Sequence, residues 1–304
     1  MILSIISFDT ISIALSFAIL GFGVFISFKI LNITDLTVEA SYGFGSAICA
    51  MMCKNTMVLK FSKYYVILPY LALICAFLGG CFAGLITAIL HTKFKINSVL
   101  SGILTLTMFY SINLIVIKGN ASIGLSGNKG VVLFPDIDYL KMIIMFIFVI
   151  VIGILLSLFF KTRLGLSIRS CGDNEAMIKS CAISPNLMKI IGIVISNGLV
   201  ALSGALFIQL QKSYSTNIEK GMMVVGVATI IIGEILTLYK HNVSLMLIGI
   251  SLGSIVYRII YAISLKIVSN TIYLNMISAI LIIVILLISK AYNNYKNNKK
   301  LCNL

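Results

Sequence analysis

The sequence predicts an all-α integral membrane protein of about nine transmembrane helices, some broken or re-entrant, in two inverted-topology repeats. Three observations carry this. Hydrophobic residues make up 60% of the chain and charged residues 11%, against roughly 25% charged in a soluble domain. Apolar runs of membrane length, ~20 residues each, leave no room for a separate soluble domain. A slide of the chain by 182 residues lays Ser16–Ile26 (SFAILGFGVFI) on Gly198–Ile208 (GLVALSGALFI), matching Leu20, Phe25 and Ile26 to Leu202, Phe207 and Ile208.

In order, the expected spans are Ile11–Leu31, Val38–Met52, Tyr65–Leu90, Ser98–Ile117, Leu140–Phe160, Met188–Leu210, Met222–Leu238, Val243–Ala262 and Ile272–Ser289. The first lacks a basic leader and an A-x-A site and is long enough to span, so it reads as a helix and not a signal peptide. The second is too short and too glycine-rich for a full straight crossing. Residues 1–304 are expected to form one transmembrane domain, with repeat one at about 11–160, repeat two at about 188–290 and a loop at 161–187 between them.

Net charge is +14. The basic residues sit singly in short loops and at the C-terminus, a placement that fits positive-inside topology and contact with anionic lipid and argues against nucleic-acid binding. Lys93 and Lys95, the group Lys161, Arg163, Arg169, Lys179 and Lys189, and the C-terminal Lys290, Lys296, Lys299 and Lys300 fall on one side when spans are counted. That side is assigned to the cytoplasm, which puts the N-terminus outside and the C-terminus inside. Lys54, Lys60 and Lys63 are exceptions, on the outer side.

The stretch Asn32–Gly45 (NITDLTVEASYGFG) interrupts this pattern. Asp35, Thr37 and Glu39 lie where one apolar segment gives way to the next. An ionisable group at membrane depth is costly and marks a candidate functional site. Asp35 and Glu39 either line a path through the membrane or cap a broken helix whose free backbone groups need partners. The slide puts Thr34 on Thr216 and Asp35 on Asn217, making Thr216–Gly226 a second interruption of opposite orientation. Asn197 and Gln209, polar residues in an apolar span, complete the candidate path or broken-helix set with Asn217.

Gly80-x3-Gly84 and Gly249-x3-Gly253 let helices approach closely, as packing sites or a dimer face. The outer loop Lys118–Tyr139 is either a solvated connector or a docking surface. The seven cysteines form no pairing framework, and His91 and His241 have no ligand-spaced partners, so neither a disulfide set nor a metal site is expected. The loop KTRLGLSIRSCGDNEAMIKSCAISPNLMK, Lys161–Lys189, predicts a short surface helix. Asp173 or Asn174 would cap it, Glu175 and Lys179 would pair at i,i+4, and Pro185 would stop it. Such a helix suits a groove in a cytoplasmic partner.

Asp35-Leu36-Thr37-Val38-Glu39 with Gly43 and Gly45, and Leu164–Arg169 leading into Gly172-Asp173-Asn174-Glu175, resemble permease subunits of bacterial ABC importers in the branched-chain amino acid, ribose and galactoside permease family. The wording is closest to a subgroup with Asp-Leu-Thr-Val-Glu/Asp-Gly-Ser, linked by prediction to tryptophan or tyrosine uptake. Ser196–Leu206 and Gly233-Glu234 resemble it too, while Ala40 replaces that subgroup's usual glycine. The resemblance covers roughly Ser16 to Lys290. It implies a plasma-membrane importer subunit for a small nutrient, with two permease chains in a homodimer around the path and two cytoplasmic ATPase subunits that bind ATP and Mg. An extracytoplasmic binding protein would deliver the solute. Arg169, Gly172, Asp173, Asn174, Glu175, Ala176 and Lys179 would carry the contact with the ATPases.

No G-x-x-x-x-G-K-[ST] occurs, and no nucleophile–base pair marks an enzyme, so this chain is expected to hold no cofactor and to catalyse nothing itself. An alternative from another class is a secondary transporter in which Asp35 or Glu39 couples a proton or cation to the solute. A scaffold or receptor would leave the buried carboxylates unexplained.

Overall fold

The computed structural model describes residues 7–54, 67–125, 133–135, 137–237 and 242–267, with 280, 283, 284 and 287. Helix α1 (Phe8–Val24) runs on through a π-helical turn, Phe25–Ile30, in which Leu31 N–H reaches back five residues to the Ile26 carbonyl at 3.0 Å. Then come α2 (Thr37–Lys54), α3 (Leu68–Thr92), α4 (Ser98–Val116), strand β1 (Ser122–Gly124) and α5 (Asp138–Phe159). Two short helices, α6 (Arg163–Asp173) and α7 (Glu175–Ser180), lead to α8 (Pro185–Gln211), strand β2 (Ser213–Ser215), α9 (Met222–Thr237) and α10 (Val243–Ile267).

Among the described residues six helices are long and apolar enough to cross a membrane: α1 with its π turn, α3, α4, α5, α8 and α10. Helices α2 and α9 are the two that the sequence marks as interrupted. The last expected span, Ile272–Ser289, lies almost wholly outside the described residues, as do Lys60, Lys63, His241 and the C-terminal lysines.

The bundle is built around α1 and α8. Of the most apolar window of α1, 89% is buried, whereas α5 has 17% buried and presents its apolar surface outward, as a lipid-facing helix does. With hydrocarbon on the outside as well, shape and hydrogen bonds decide which helices pair. Helices α1 and α8 run antiparallel. The Ser203 hydroxyl donates to the Ser16 carbonyl at 2.7 Å, the Ser196 hydroxyl to that of Gly23 at 2.8 Å, and the Phe17 and Phe207 rings stack at 5.7 Å. Each hydroxyl reaches an oxygen of the facing backbone, which only small residues at the crossing allow.

Both glycine pairs serve packing within this chain. A Cβ at Gly84 would come within 2.8 Å of the Ile193 carbonyl and the Asn197 side chain, and one at Gly80 would overlap Asn197 and Ala201, so α3 lies tight on α8. Gly253 and Gly249 seat α10 on Gly233 of α9 in the same way.

One face of the bundle carries α6, α7, the foot of α1 and the end of α3, where His91 is near enough to act on the Glu175 charge. The opposite face carries the strand pair, with Ile123 against Tyr214 in antiparallel register. The start of the expected outer loop is therefore structured: Leu125 N–H donates to the Lys212 carbonyl at 2.7 Å and Thr216 N–H to that of Ala121 at 3.1 Å. Residues 126–132 and 136 of that loop lie outside the described set.

Candidate functional site

Helix α1 ends where Asn32 takes a left-handed conformation (φ 54°), which asparagine tolerates better than most residues. Its side-chain amide donates to the Gly172 carbonyl at 3.0 Å, tying the foot of α1 to α6. The chain then turns into α2, whose first N–H groups have no partner within the helix. Asp35 supplies one: its Oδ1 accepts from Thr37 N–H at 2.9 Å. Its Oδ2 accepts from Asn197 Nδ2 at 2.7 Å, and Asn197 Oδ1 accepts from the Ser41 hydroxyl at 2.7 Å. Asn197 stands midway along the 27-residue α8, so α2 starts near mid-depth. Thr37 bonds the Thr87 hydroxyl at 2.7 Å, and Thr87 donates to Thr105 at 2.9 Å, a hydroxyl chain through α2, α3 and α4. Asp35, Thr37 and Asn197 are all buried. Asp35 is therefore a helix cap and a link to α8, with its carboxylate oxygens occupied by the protein.

Glu39 ties the first interruption to the second. Its Oε1 accepts from the backbone N–H of Gly221 at 3.0 Å. Gly221 has φ 81° and stands just before α9, so a carboxylate of α2 sits on the free N–H groups of the α9 start. Beside it lies Glu219, buried with 7% exposure, accepting from Asn113 Nδ2 at 3.0 Å. A Cβ on Gly43 would overlap the Glu219 carboxylate, so the first glycine of the opening motif keeps room for it. Glu219 is a site residue that the sequence reading missed. The slide of the repeats already carried the signal, because it lays Thr37 on Glu219 and Glu39 on Gly221.

The other path candidates separate. Gln209 is fully buried and acts as a latch: it accepts from Leu133 N–H at 3.3 Å and donates to the Pro69 carbonyl at 3.3 Å. Asn217 is exposed at the edge of a cavity of about 360 Å3 between α1, α10 and residues 215–222.

On the opposite face, α6 and α7 form a bent pair. Asn174 caps α7, its Oδ1 accepting from Ala176 N–H at 2.9 Å and Met177 N–H at 3.3 Å. Asp173, the other cap candidate, ends α6 instead and borders a cavity of about 230 Å3 with Lys29, Arg169 and Glu234. Lys29 and Glu234 are ion-paired there, joining the foot of α1 to α9. Glu175 pairs with Lys189 of α8 at 2.5 Å, in place of the expected i,i+4 pairing with Lys179. Lys189 holds the Glu175 carboxyl below the usual carboxylate range. Pro185 opens α8 and does not close α7; its missing N–H costs nothing at a helix start. Ala176, Met177 and Lys179 face outward while Ile178 anchors α7 in the core. A Cβ on Gly172 would run into the Ile30 carbonyl, so that glycine lets α6 touch the foot of α1.

Among the described residues no group of His, Cys, Asp and Glu is arranged to hold a metal ion. The arrangement is one of two mid-depth helix starts bridged by a carboxylate, with a surface helix pair fastened to the same helices on one face.

Comparison with known proteins agrees. A tyrosine transport system permease protein of Clostridioides difficile (strain R20291) is 41% identical over 285 residues, 93% of this chain and 90% of the relative. An uncharacterized protein of Rickettsia prowazekii (strain Madrid E) is 32% identical over 222 residues, 72% of this chain and 74% of its own. A solved structure described as an inward-facing ABC transporter of metal-chelate type shares the fold, with TM-score 0.50 and 15% identity over 94% of this chain and 84% of that one. The family model for the permease component of branched-chain amino acid transport systems matches residues 6–286. The chain is a multi-pass membrane permease of an ABC transporter, a transport component and not an enzyme, and it belongs to the family of branched-chain amino acid transport system permease components.

Proposed function

We propose that this permease imports an aromatic amino acid, working as a homodimer with two cytoplasmic ATPase subunits and an extracytoplasmic binding protein. The observation that carries the reading is the attachment of α6 and α7 to the foot of α1 through Asn32 and Gly172. A surface helix pair fastened there has a purpose only if something outside the membrane pushes it. The solute class follows from the tyrosine permease, 41% identical across nearly the whole chain.

In this reading one domain, residues 1–304, holds nine helices in two inverted repeats, at about 11–160 and 188–290, with the coupling loop at 161–187. Support comes from the Glu39–Gly221 bond. The two residues are 182 apart, the same offset that superposes the repeats, and in an inverted repeat equivalent residues meet only at the pseudo-two-fold axis. The antiparallel α1 and α8 agree. The face with α6 and α7 is cytoplasmic, with the N-terminus outside and the C-terminus inside. ATP and Mg belong to the partner subunits. When those subunits close on ATP they displace α6 and α7, the foot of α1 follows, and α2 parts from α9 so that the bundle passes between two discrete states. Asp35, Thr37, Asn197 and Gln209 hold the interrupted helices in shape, Glu39 bridges them, and Asn217 borders the path. Arg169, Gly172, Asp173, Asn174, Glu175, Ala176 and Lys179 form or brace the ATPase contact.

The test is reconstitution of the chain with its ATPase and binding protein in liposomes. Tyrosine uptake is expected with ATP and absent without it, and Ala176→Cys is expected to cross-link to the ATPase. Uptake driven by an ion gradient without nucleotide would replace this reading with a secondary transporter.

A further inference from the structure

We infer that the cavity between α1, α10 and residues 215–222 is a solute site, in which Arg258 receives the carboxylate of an aromatic amino acid whose ring lies against Phe17, Tyr257 and Tyr261. The inference rests on the aromatic amino acid reading above and names where that solute is held. Arg258 belongs to α10, well inside the membrane-length run. Its guanidinium stands 5.8 Å from the Phe17 ring centre and 5.2 Å from that of Tyr261. Its Nε has no hydrogen-bond partner, and among the described residues no carboxylate is ion-paired with it. Asp9, the carboxylate that acts on it from a distance, lies nearer Lys141, at 3.9 Å.

A guanidinium at membrane depth without an anion is costly. The Phe17 and Tyr261 rings meet it, Tyr42 and Tyr257 act on it from nearby, and cation–π contact with desolvated rings offsets part of that cost. The planar fork is left free to take a carboxylate through two parallel bonds. Phe17 and Tyr261, the rings under Arg258, also form walls of the cavity, and Tyr257 stacks on Tyr261 at 6.4 Å. The volume of about 360 Å3 falls within the roughly 300–1,000 Å3 of small-ligand pockets. The facing wall is the second interruption, where Lys220 and Asn217 line the cavity beside Gly221. A second cation on that wall favours the carboxylate of the solute, and the rings match an aromatic side chain.

The chain contains no tryptophan, so L-tryptophan fluorescence, excited on the red edge where tyrosine does not absorb, can be read without protein background. Titration of the full-length chain in lipid nanodiscs is expected to give saturable L-tryptophan binding, with tryptamine, which lacks the carboxylate, at least tenfold weaker. Arg258→Gln is expected to weaken tryptophan at least tenfold and to erase its advantage over tryptamine. Arg258→Lys keeps part of both, and Tyr261→Leu weakens the two ligands alike. Thermal unfolding of each variant checks folding. Absence of saturable binding, equal binding of tryptamine, or a folded Arg258→Gln chain with unchanged affinity would each overturn the site. The wider reading fails separately: it falls if the assembled wild-type transporter shows no ATP-driven aromatic uptake. If that uptake is present and Arg258→Gln leaves its half-saturation unchanged, only the site falls.

Discussion

At the residue scale, the two carboxylates of the opening motif do different jobs. Asp35 is enclosed, and its oxygens are taken by Thr37 and Asn197. Asp35→Ala would leave the Thr37 N–H without its acceptor and the Asn197 amide with only its Ile193 carbonyl bond, at a cost of about 1–3 kcal/mol for each buried group left unpaired. Thermal unfolding in detergent is expected to show a lowered midpoint, with Asp35→Asn affected less because its carbonyl oxygen still accepts. Glu39→Gln keeps an acceptor for Gly221 N–H, so membrane levels are expected to match wild type while uptake changes; loss of the protein from the membrane would make Glu39 purely structural. The polarity of this stretch was legible in the sequence because two acids in an apolar chain stand out. The division of labour was not. It depends on Asn197 and Gly221, which lie 162 and 182 residues away and reach the site only through the packing of α8 and α9. Glu219 is inconspicuous in the sequence because the repeat offset lays it on Thr37, an uncharged residue, while the position equivalent to Asp35 holds Asn217.

At the element scale, α6 and α7 show how a cap is chosen between two neighbouring candidates. Asp173 and Asn174 are both good N-cap residues. The choice falls on Asn174 because its extended backbone (φ −157°) ends α6 and opens α7 in a single step, which leaves Asp173 on the last turn of α6 beside Lys29 and Arg169. Asn174→Ala is expected to cost about 1 kcal/mol of local stability, seen as faster amide exchange confined to α7. Asp173→Arg places a third cation beside Lys29 and Arg169, so ATP-driven uptake is expected to fall while membrane levels hold; normal uptake at normal levels would remove Asp173 from the coupling set. The Glu175–Lys189 pair adds a pH dependence. A carboxyl held below its usual range stabilises the docked helix at neutral pH, and that contribution disappears as pH falls through its lowered value. Glu175 is half exposed (48%), so the effect is small, within the about 0–1 kcal/mol of surface pairs. Amide protection in α7, taken relative to the intrinsic exchange rate at each pH, is expected to fall in acid in the wild type and to be already lowered at neutral pH in Lys189→Gln.

At the scale of the whole molecule, hydropathy located the long helices to within a few residues at most ends, since length and apolarity are local properties. The pairing of helices was not local. The serine bonds between α1 and α8 and the glycine seats of α3 and α10 are decided by small residues whose partners no window of sequence contains. The ion pair between Lys29 and Glu234 is the clearest case: a lone lysine at the end of one apolar run and a lone glutamate near the end of another, more than half the chain apart, clamp α1 to α9 on the face that bears α6 and α7. If the bundle opens toward that face by moving the foot of α1, this clamp must part in each cycle. Replacing both residues by cysteine and bridging them with a bifunctional thiol reagent a few ångströms long is expected to stop uptake, and cleavage of the bridge to restore it. The single Lys29→Cys chain treated with the same reagent reports any effect of the native thiols, of which Cys181 is exposed. Lys29→Met alone weakens the closed state and is expected to raise ATP hydrolysis by the assembled transporter in the absence of solute, because less work is needed to separate the two helices. Full uptake through the bridged chain would mean that α1 and α9 travel as one body, and the opening would then have to occur between α2 and α9, where the Glu39–Gly221 bond is the contact that breaks.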